Sequence, residues 1–210
     1  SGYGTQKFNA ARSYGGVAGA IREASKLCGV EISHYVEIGF DGVMDLVDSI
    51  GGVEVDVPYY INDADAWVEI QPGYQTLSGW DALGFARSRA YADGDFTRTS
   101  NQRLLIQAVV NKVLALDPAA MQQAIRSGAK CVDTDMSLMD ILGLAMSFKD
   151  GFTMYSAMVP STTAYIDGVS YVICDTQGLA EMMKIVEAGG DPSTLQTTSG
   201  SVIGSSMGQQ

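Results

Sequence analysis

The chain has 210 residues, of which 46% are hydrophobic and 18% are charged, and its formal net charge is -11. This length fits one domain with a well-formed core, and this composition excludes an intrinsically disordered chain. The acidic balance argues against a nucleic-acid-binding protein, because such proteins neutralise phosphates with lysine and arginine.

The first half of the chain alternates between predicted helices and strands. Apolar residues at helical spacing predict an amphipathic helix over residues 14–28, with Ser13 as its N-cap and Gly29 after its last turn. The patterns then predict a strand, a short helix and two more strands at residues 32–40, 41–50, 53–57 and 66–70. Between the last two strands the sequence predicts a polar loop.

The second half of the chain continues this alternation. A turn at residues 71–74 precedes a helix that Ser78 caps and that runs to about residue 86. The strongest helical pattern covers residues 99–116, where Leu105, Val109 and Val113 share one face. Further helices are predicted at residues 119–127, 137–149 and 176–188, and further strands at residues 152–159 and 169–173.

The order of these elements predicts an α/β layered fold. We expect residues 1–188 to form the domain, and residues 189–210, rich in Gly, Ser, Thr and Gln, to form a disordered tail. No apolar run approaches the ~20 residues that a membrane-spanning helix needs, and no signal peptide is visible. The first residues, Ser1 and Gly2, are interpreted as a fragment boundary.

The charge distribution singles out one segment as a candidate anion-binding site. No lysine or arginine occurs between Lys26 and Arg87, and then Arg87, Arg89, Arg98 and Arg103 follow closely. The planar guanidinium group matches phosphate or carboxylate oxygens bidentately. Arg87 and Arg89 would project to the same face of an extended segment. Arg98 lies at the start of a predicted helix, where free N–H groups favour anions.

Two interpretations of this segment stay open from the residues alone. Asp93 and Asp95 lie between the arginines and could pair with them or hold a divalent cation, a mixture that suits a pyrophosphate bound with Mg²⁺. The same residues could equally form surface salt bridges. Thr99 and Gln102 have the spacing of a capping box, which would make Gln102 structural.

The remaining chemically active residues give weaker signals. His34 is the only histidine and lies inside a predicted strand, so we expect a structural role. The three cysteines, Cys28, Cys131 and Cys174, form no CxxC pair, and we expect buried free thiols.

Several motifs together resemble the signature of the LytR-CpsA-Psr family. The arginine segment matches that family's R-x-R motif at residues 87–89, its D-x-x-R at residues 95–98, and its Gln102. Upstream matches in the same order lie at residues 7–16, 36–58 and 72–83, with the sequences KFNA…GG, VEIGFDGVMDLVDSIGGVEVDVP and PGYQTLSGWDAL. The resemblance covers roughly residues 1–175.

The resemblance implies an extracellular, membrane-anchored transferase with a three-layer α-β-α fold around a central mixed sheet. Such proteins move a glycopolymer from a polyprenyl-pyrophosphate carrier to peptidoglycan through a phosphodiester, with Mg²⁺ near the phosphates. Carried over residue by residue, Arg87, Arg89 and Arg98 would bind the pyrophosphate, Gln102 would position phosphate, and Asp95 would act as base or orient a partner. Arg89 and Arg98 would also serve catalysis. Leu105, Val109 and Val113 would line a lipid pocket, although core packing explains them equally well.

This chain departs from the family pattern in two ways. Asn101 stands where the family often has an arginine before the glutamine, and Arg103 follows instead. The family's N-terminal part, with its metal-binding aspartates and an S-[IV]-P-R-D motif, has no counterpart in the sequence. We therefore expect the sheet to lack central strands. We expect the metal ligands and the membrane anchor to lie upstream of this chain, and the chain alone to have little or no activity.

Two other functions compete with transfer. A pyrophosphatase would use water in place of the sugar hydroxyl and release lipid monophosphate. A non-catalytic module would hold polyprenyl phosphate or an anionic glycan without turnover.

Overall fold

The computed structural model of the protein describes residues 7–91, 95–149, 151–166 and 168–195. The chain divides into two compact units. We call His34–Phe152 the central unit, and Ser1–Ser33 together with Thr153–Gln210 the terminal unit.

Helices and strands alternate along the described residues. The helices are α1 (Ala10–Cys28), α2 (Phe40–Ser49), α3 (Gly79–Arg87), α4 (Asp95–Ala115), α5 (Pro118–Gly128), α6 (Leu138–Phe148) and α7 (Thr176–Glu187), followed by a 3₁₀ turn at Pro192–Thr194. The strands are β1 (Val36–Ile38), β2 (Val53–Val57), β3 (Ile61–Asp63), β4 (Val68–Ile70), β5 (Gly73–Leu77), β6 (Val132–Thr134), β7 (Ser161–Ile166) and β8 (Val169–Cys174).

The central unit is built on one long interrupted hairpin. Strand β2 pairs antiparallel with β5, and β3 pairs antiparallel with β4 further toward the tip. Pro58 and Pro72 lie in the gap between the two paired stretches. Because proline has no N–H to donate, the ladder cannot continue through them. Residues 58–60, between β2 and β3, lie opposite residues 71–72, between β4 and β5, so the gap also contains a bulge.

The core of the central unit lies on one face of this hairpin. Val53, Val55 and Val57 of β2 are buried, whereas the acidic residues between them point outward. The aromatic ring of Phe85 in α3 is fully buried in the same cluster, to which α4 contributes Leu105. Along β2, the valines thus face the core and the acidic residues face the solvent, as their alternation in the sequence predicts.

The terminal unit pairs helix α1 with helix α7 and contains the β7–β8 hairpin. Helix α1 is kinked at Gly16, which has φ 62° and lies in a region that glycine tolerates. The Nζ of Lys7 donates to the carbonyl oxygen of Ser170 at 2.8 Å and lies 4.6 Å from the centre of the Tyr171 ring.

The α/β class predicted from the sequence is confirmed, and the sheet is incomplete among the described residues, as expected. Each described strand pairs antiparallel with a single partner, so the described residues contain four two-stranded sheets and no central mixed sheet. Hairpin connections as short as those of β3–β4 and β7–β8 permit only antiparallel pairing, because parallel strands need a long crossover.

Several predicted boundaries need correction. Helix α1 begins at Ala10 with Asn9 as N-cap, so Ser13 lies inside it. Residues 151–160 hold no strand, and the predicted strand at 152–159 is replaced by β7 further along. The strand predicted over residues 32–40 is reduced to β1, whereas β3, β5 and β6 were not predicted at all.

The polar tail predicted from residue 189 begins with an ordered stretch. Gly189 ends α7 in the left-handed conformation, and the 3₁₀ turn follows with Asp191 as its N-cap. Residues 196–210 lie outside the described residues. Across the described part of the chain, none of the helices combines the length and the hydrophobicity needed to cross a lipid bilayer.

Candidate anion-binding active site

The C-terminal end of α3 presents the first two arginines. Ser78 caps the helix, as predicted, with its side-chain oxygen accepting from the backbone N–H of Asp81 at 3.2 Å. The helix ends at Arg87, and Ser88 then turns the backbone to an extended conformation with φ -55° and ψ 137°. Arg87 and Arg89 are both exposed, whereas Ser88 between them is fully buried. The chain is therefore anchored between the two guanidinium groups.

The anchor for this segment is the carboxylate of Asp63 at the end of β3. Its Oδ2 accepts from the hydroxyl of Ser88 at 2.8 Å and from the backbone N–H of Arg89 at 3.0 Å. Its Oδ1 accepts from the backbone N–H groups of Asp65 and Ala66, both at 3.0 Å. Asp63 thus ties the turn between β3 and β4 to the segment that follows α3.

The environment of Asp63 favours its ionised form. The hydroxyl of Ser88 contributes most to holding the pKa of the Asp63 carboxyl below its usual value, and the three backbone N–H donors act in the same direction. Burial opposes this shift but does not overcome it. Asp63 is therefore a buried charge whose two oxygens are both hydrogen-bonded.

The first turns of α4 supply the second half of the site. Arg98 is half-buried in the first turn of the helix, and Gln102 follows one turn later. The amide of Gln102 donates to the carbonyl oxygen of Ala86 at 3.1 Å, which links α4 to the end of α3. Since α4 begins at Asp95, Thr99 is inside the helix, and the proposed capping box with Gln102 is wrong.

Asn101, which stands where the resemblance leads us to expect an arginine, has a structural role. Its side chain is 1% exposed, and its Nδ2 donates to the carbonyl oxygen of Phe85 at 3.2 Å and to the hydroxyl of Tyr91 at 3.1 Å. These bonds fix α4 against the end of α3 from the side opposite to solvent. A charged arginine at this buried position would need an anionic partner, whereas the amide is neutral, although its Oδ1 is buried without a hydrogen bond.

These elements enclose one cavity of about 710 Å³. One wall is the β3–β4 turn at residues 62–66, and the other carries Arg87, Arg89, Arg98 and Gln102. Phe40, the first residue of α2, also lines it, and the Cζ of Arg87 lies 4.6 Å from the centre of the Phe40 ring. This cation–π contact orients the guanidinium group without neutralising it. A cavity with three guanidinium side chains is suited to a multiply charged anion.

The comparison with known protein families supports the motif-based resemblance. A sequence model described as the LytR_cpsA_psr family matches residues 1–188. The chain belongs to the LytR-CpsA-Psr family. The resemblance implies four pyrophosphate-binding residues, and all four lie inside the matched region and line the arginine cavity: Arg87, Arg89, Arg98 and Gln102.

Individual relatives are similar to this family member over most of its length. The polyisoprenyl-teichoic acid–peptidoglycan teichoic acid transferase TagU of Enterococcus faecalis is 31% identical over 188 residues, 87% of this chain and 61% of the relative. Biofilm regulatory protein A of Streptococcus mutans is 32% identical over 186 residues, 82% of this chain and 45% of the relative. The chain therefore spans only about half to three fifths of the length of these relatives.

Solved structures share the fold of this family member. A crystal structure of Bacillus subtilis TagV matches with a TM-score of 0.77 at 24% identity, covering 90% of this chain and 77% of that one. A structure of TagT bound to LIIa-WTA matches with a TM-score of 0.74 at 25% identity, covering 89% of this chain and 72% of that one.

Other predicted site residues of this family member lie elsewhere or are only partly described. Arg103 does not line the cavity, and burial lowers the pKa of its guanidinium group. Asp95 begins α4, but its side chain lies outside the described part of the chain, as does Asp93 entirely. The role of Asp95 as base stays a prediction.

The apolar residues assigned to a lipid pocket contribute to the core. Leu105 is 7% exposed and belongs to the buried cluster, and Val109 and Val113 pack against it. These three residues do not line the arginine cavity. Core packing therefore accounts for them, and their lipid contact remains a prediction.

Two cavity residues that the sequence does not indicate are Asp63, on the β3–β4 wall, and Phe40, at the start of α2. The sequence predicts a polar loop at Asp63, because β3 is too short to show alternation. It predicts the end of a strand at Phe40. An aspartate followed closely by other turn-forming residues is a signal for a side-chain-capped turn, and it could have identified Asp63.

The described residues alone do not fit the Mg²⁺ that the resemblance implies. Nowhere in the described ranges do three or more His, Cys, Asp or Glu side chains come together as a metal site. Asp63 and Asp65 line the cavity, but both oxygens of Asp63 already accept two hydrogen bonds each.

A second cleft of about 530 Å³ has a different character. It lies between α5 and α6 and is lined mainly by Met121, Met139, Leu142 and Met146. It is lined by no charged side chain and so offers no guanidinium or ammonium group to a phosphate. The arginine cavity is therefore the better candidate for an active site.

His34 and the three cysteines are outside both cavities. His34 precedes β1, and its Nδ1 lies 3.3 Å from the Oδ2 of Asp135 at an exposed position. The cysteines are free thiols, as expected, but half-buried and not fully buried. Burial raises the pKa values of Cys131 and Cys174, which makes their thiols less reactive.

Proposed function

We propose that the protein is a transferase of the LytR-CpsA-Psr type, which moves a glycopolymer from a polyprenyl-pyrophosphate carrier to peptidoglycan through a phosphodiester. Family membership supports this proposal, and so does the name of the Enterococcus faecalis relative, a teichoic acid transferase. The identity of the polymer, teichoic acid or a capsular or secondary wall polysaccharide, is left open.

The observation that carries the proposal is the convergence of residues from two consecutive helices on one cavity. Arg87 and Arg89 come from the end of α3, whereas Arg98 and Gln102 come from the start of α4. A surface salt-bridge network would not need a concave site of about 710 Å³. A pyrophosphate would meet guanidinium groups from both segments at once.

The chemistry that this site supports is phosphoryl transfer by positioning and charge stabilisation. In the proposed step, a sugar hydroxyl of the acceptor attacks the phosphorus that carries the glycopolymer. The new P–O bond forms as the bond to the bridging oxygen breaks, and polyprenyl monophosphate leaves. The hydroxyl proton passes to a base, for which Asp95 remains the predicted residue. Arg89 and Arg98 stabilise the negative charge that spreads over the phosphoryl oxygens.

The proposal also includes features that lie beyond the described residues. We place the domain on the extracellular face of the membrane, held by an N-terminal anchor, in a Gram-positive type of cell wall. A divalent cation such as Mg²⁺ belongs to the proposal, and its ligands would have to come in part from outside the described ranges. Such an ion would lower the charge repulsion within the pyrophosphate.

The test is a binding measurement with geranylgeranyl pyrophosphate, a short soluble carrier analogue, by isothermal titration calorimetry with Mg²⁺ present. Arg89→Ala and Arg98→Ala each remove a charged contact of about 1.5–3 kcal/mol, so affinity should fall about tenfold or more. Arg126→Ala is the matched control, since Arg126 is exposed on α5 and does not line the cavity.

The outcome separates the competing functions. Equal affinity for the wild type and the two cavity variants would mean that the arginines form a structural network, and the proposal would be withdrawn. Carrier binding together with release of geranylgeranyl monophosphate, but without attachment to an acceptor, would favour a pyrophosphatase. Binding without turnover in the full-length protein would favour a non-catalytic module.

A further inference from the structure

The turn between β3 and β4 carries a strained tryptophan. Trp67 has φ 56°, and it is the only residue other than glycine with a positive φ in the described part of the chain. This left-handed conformation suits glycine or asparagine, because a Cβ atom crowds the following carbonyl oxygen. A bulky residue there is an outlier, and such outliers concentrate at functional sites.

Packing does not explain why tryptophan occupies this position. The Trp67 residue is 76% exposed, so its indole buries little surface in return for the strained backbone. The neighbouring Trp80 on α3 is 54% exposed, and its Nε1–H donates to the carbonyl oxygen of Trp67 at 3.1 Å. The chain has two tryptophans, and this hydrogen bond links the ring of Trp80 to the backbone of Trp67, with both residues exposed at the surface.

Trp67 comes directly after the β3–β4 wall of the arginine cavity in the chain, and Trp80 is held to its backbone by the hydrogen bond above, although neither side chain lines the cavity itself. Ala64, Asp65 and Ala66 of the same turn line the cavity, and Trp67 is the next residue along the chain. A chain-like molecule that places its phosphates against the arginines, or its hydroxyl next to the reacting phosphorus, would extend past the edge of the cavity at Trp67. The position therefore suits the recognition of a chain-like substrate next to its reacting group.

We propose that Trp67 and Trp80 form a stacking platform for the uncharged pyranose rings of the acceptor glycan chain, at the rim of the arginine cavity. The axial C–H groups of a pyranose ring are electropositive, and they pack well on the electron-rich face of an indole. The inference rests on the proposed function, because it assigns the glycan strand of peptidoglycan as the acceptor.

The charge around the platform argues for an uncharged ring over an anionic partner. Asp65 and Glu69 lie two residues on either side of Trp67, Asp81 directly follows Trp80, and no lysine or arginine occurs between Lys26 and Arg87. An anionic membrane surface attracts basic segments and not acidic ones. A polyanionic donor polymer is repelled for the same reason. Carboxylates are instead good acceptors for the hydroxyl groups of a neutral sugar.

The test uses chitotetraose, a neutral tetramer of N-acetylglucosamine, as the probe. Because both tryptophans belong to the platform, intrinsic tryptophan fluorescence reports directly on its occupancy in the wild-type chain. Calorimetry then compares the variants. We expect Trp67→Ala and Trp80→Ala each to weaken chitotetraose binding at least fivefold, whereas Trp67→Phe retains most of it. Tyr74→Ala is the matched control, since Tyr74 on β5 is an aromatic residue with the same 76% exposure.

A Trp67→Gly variant guards against misfolding, because glycine relieves the strained backbone. It should have a higher melting temperature than the wild type and still lose chitotetraose binding. Chitotetraose binding that is absent, or equal in all variants, would overturn the platform. So would a dependence on Trp67 found only for an anionic glycopolymer, or only for vesicles of phosphatidylglycerol.

The readouts for the platform and for the proposed function are independent. Geranylgeranyl pyrophosphate binding should be unchanged in Trp67→Ala and weakened about tenfold or more in Arg89→Ala, with the reverse pattern for chitotetraose. Pyrophosphate binding that does not change in Arg89→Ala would refute the proposed function, and chitotetraose binding that does not change in Trp67→Ala would refute the platform.

Discussion

Replacing Asp63 by asparagine is the most direct test of how the arginine cavity is held together. The substitution keeps the size of the side chain but replaces one carboxylate oxygen by an NH₂ group. An oxygen on the turn side can still accept from Asp65 and Ala66. The NH₂ group then faces the backbone N–H of Arg89, which is itself a donor and loses its acceptor.

The cost follows from these contacts. An unsatisfied buried donor costs about 1–3 kcal/mol, and hydrogen bonds to a charged acceptor are worth about 1.5–3 kcal/mol against about 0.5–1.5 kcal/mol for neutral ones. Asp63 is 9% exposed, so water can replace little of what is lost. We expect Asp63→Asn to lower the free energy of unfolding by about 2–4 kcal/mol at pH 7.

The pH dependence gives a second signature of the same interaction. The folded-state pKa of Asp63 is lowered, so its contribution is present above the unfolded value of about 3.9 and is lost as pH falls through the folded pKa. The difference between wild type and Asp63→Asn should therefore shrink below about pH 4.

Urea denaturation from pH 7 to pH 3 measures both effects. Asp65→Asn is the control, because it removes the same charge from an exposed position in the same turn. If Asp63→Asn were no less stable than Asp65→Asn, or if the difference did not depend on pH, the role of Asp63 as anchor would be refuted.

Three other substitutions test separate parts of the structure. Gly84→Ala should lower the free energy of unfolding by about 1–3 kcal/mol in urea, because the new Cβ would lie 2.5 Å from the Cβ of Val68. Trp67→Gly should raise it by about 0.5–1 kcal/mol in the same assay, since glycine relieves the left-handed backbone but adds freedom to the unfolded chain. Lys112→Met should lower it by about 0.5–1 kcal/mol at pH 7, by removing the ion pair of 2.7 Å with Glu54. Lys112 holds the pKa of Glu54 below its usual value, so this last effect should disappear as pH falls through the folded pKa, and an effect that persists at pH 3 would contradict the assignment.

Helices were predicted well where local capping residues mark their ends. Ser78 and Ser137 cap α3 and α6, and Ser137 forms a capping box with Asp140. Gly29 ends α1 in the left-handed conformation, as its position in the sequence indicated. These signals depend on contacts within one helical turn, so they can be read without knowledge of the fold.

Short strands were predicted poorly because their partners are distant or interrupted. Strand β1 has three residues and pairs with β6, nearly a hundred positions away in sequence, through the register that sets Val36 opposite Thr134. No alternation can develop over three residues. The pairing of β3 with β4 is hidden in the same way.

The sequence indicates which residues form the candidate site, because their types and clustering are informative. It does not indicate the contacts that hold these residues in place. Arginine clustering and the family motif identified Arg87, Arg89, Arg98 and Gln102, and all four line the cavity. The hydrogen bond from Gln102 to Ala86 and the anchoring by Asp63 depend on tertiary contacts that local patterns do not encode.

The nested pairing of β2–β5 around β3–β4 has a consequence for how the protein folds. Strands separated by so few residues close small loops, and small loops cost little entropy and form quickly. The β3–β4 wall of the cavity and the two arginines at the end of α3, Arg87 and Arg89, thus come from one continuous stretch of chain. We expect this stretch to gain protection from hydrogen exchange early in refolding, before the β1–β6 pair, whose strands must find each other across a much longer loop.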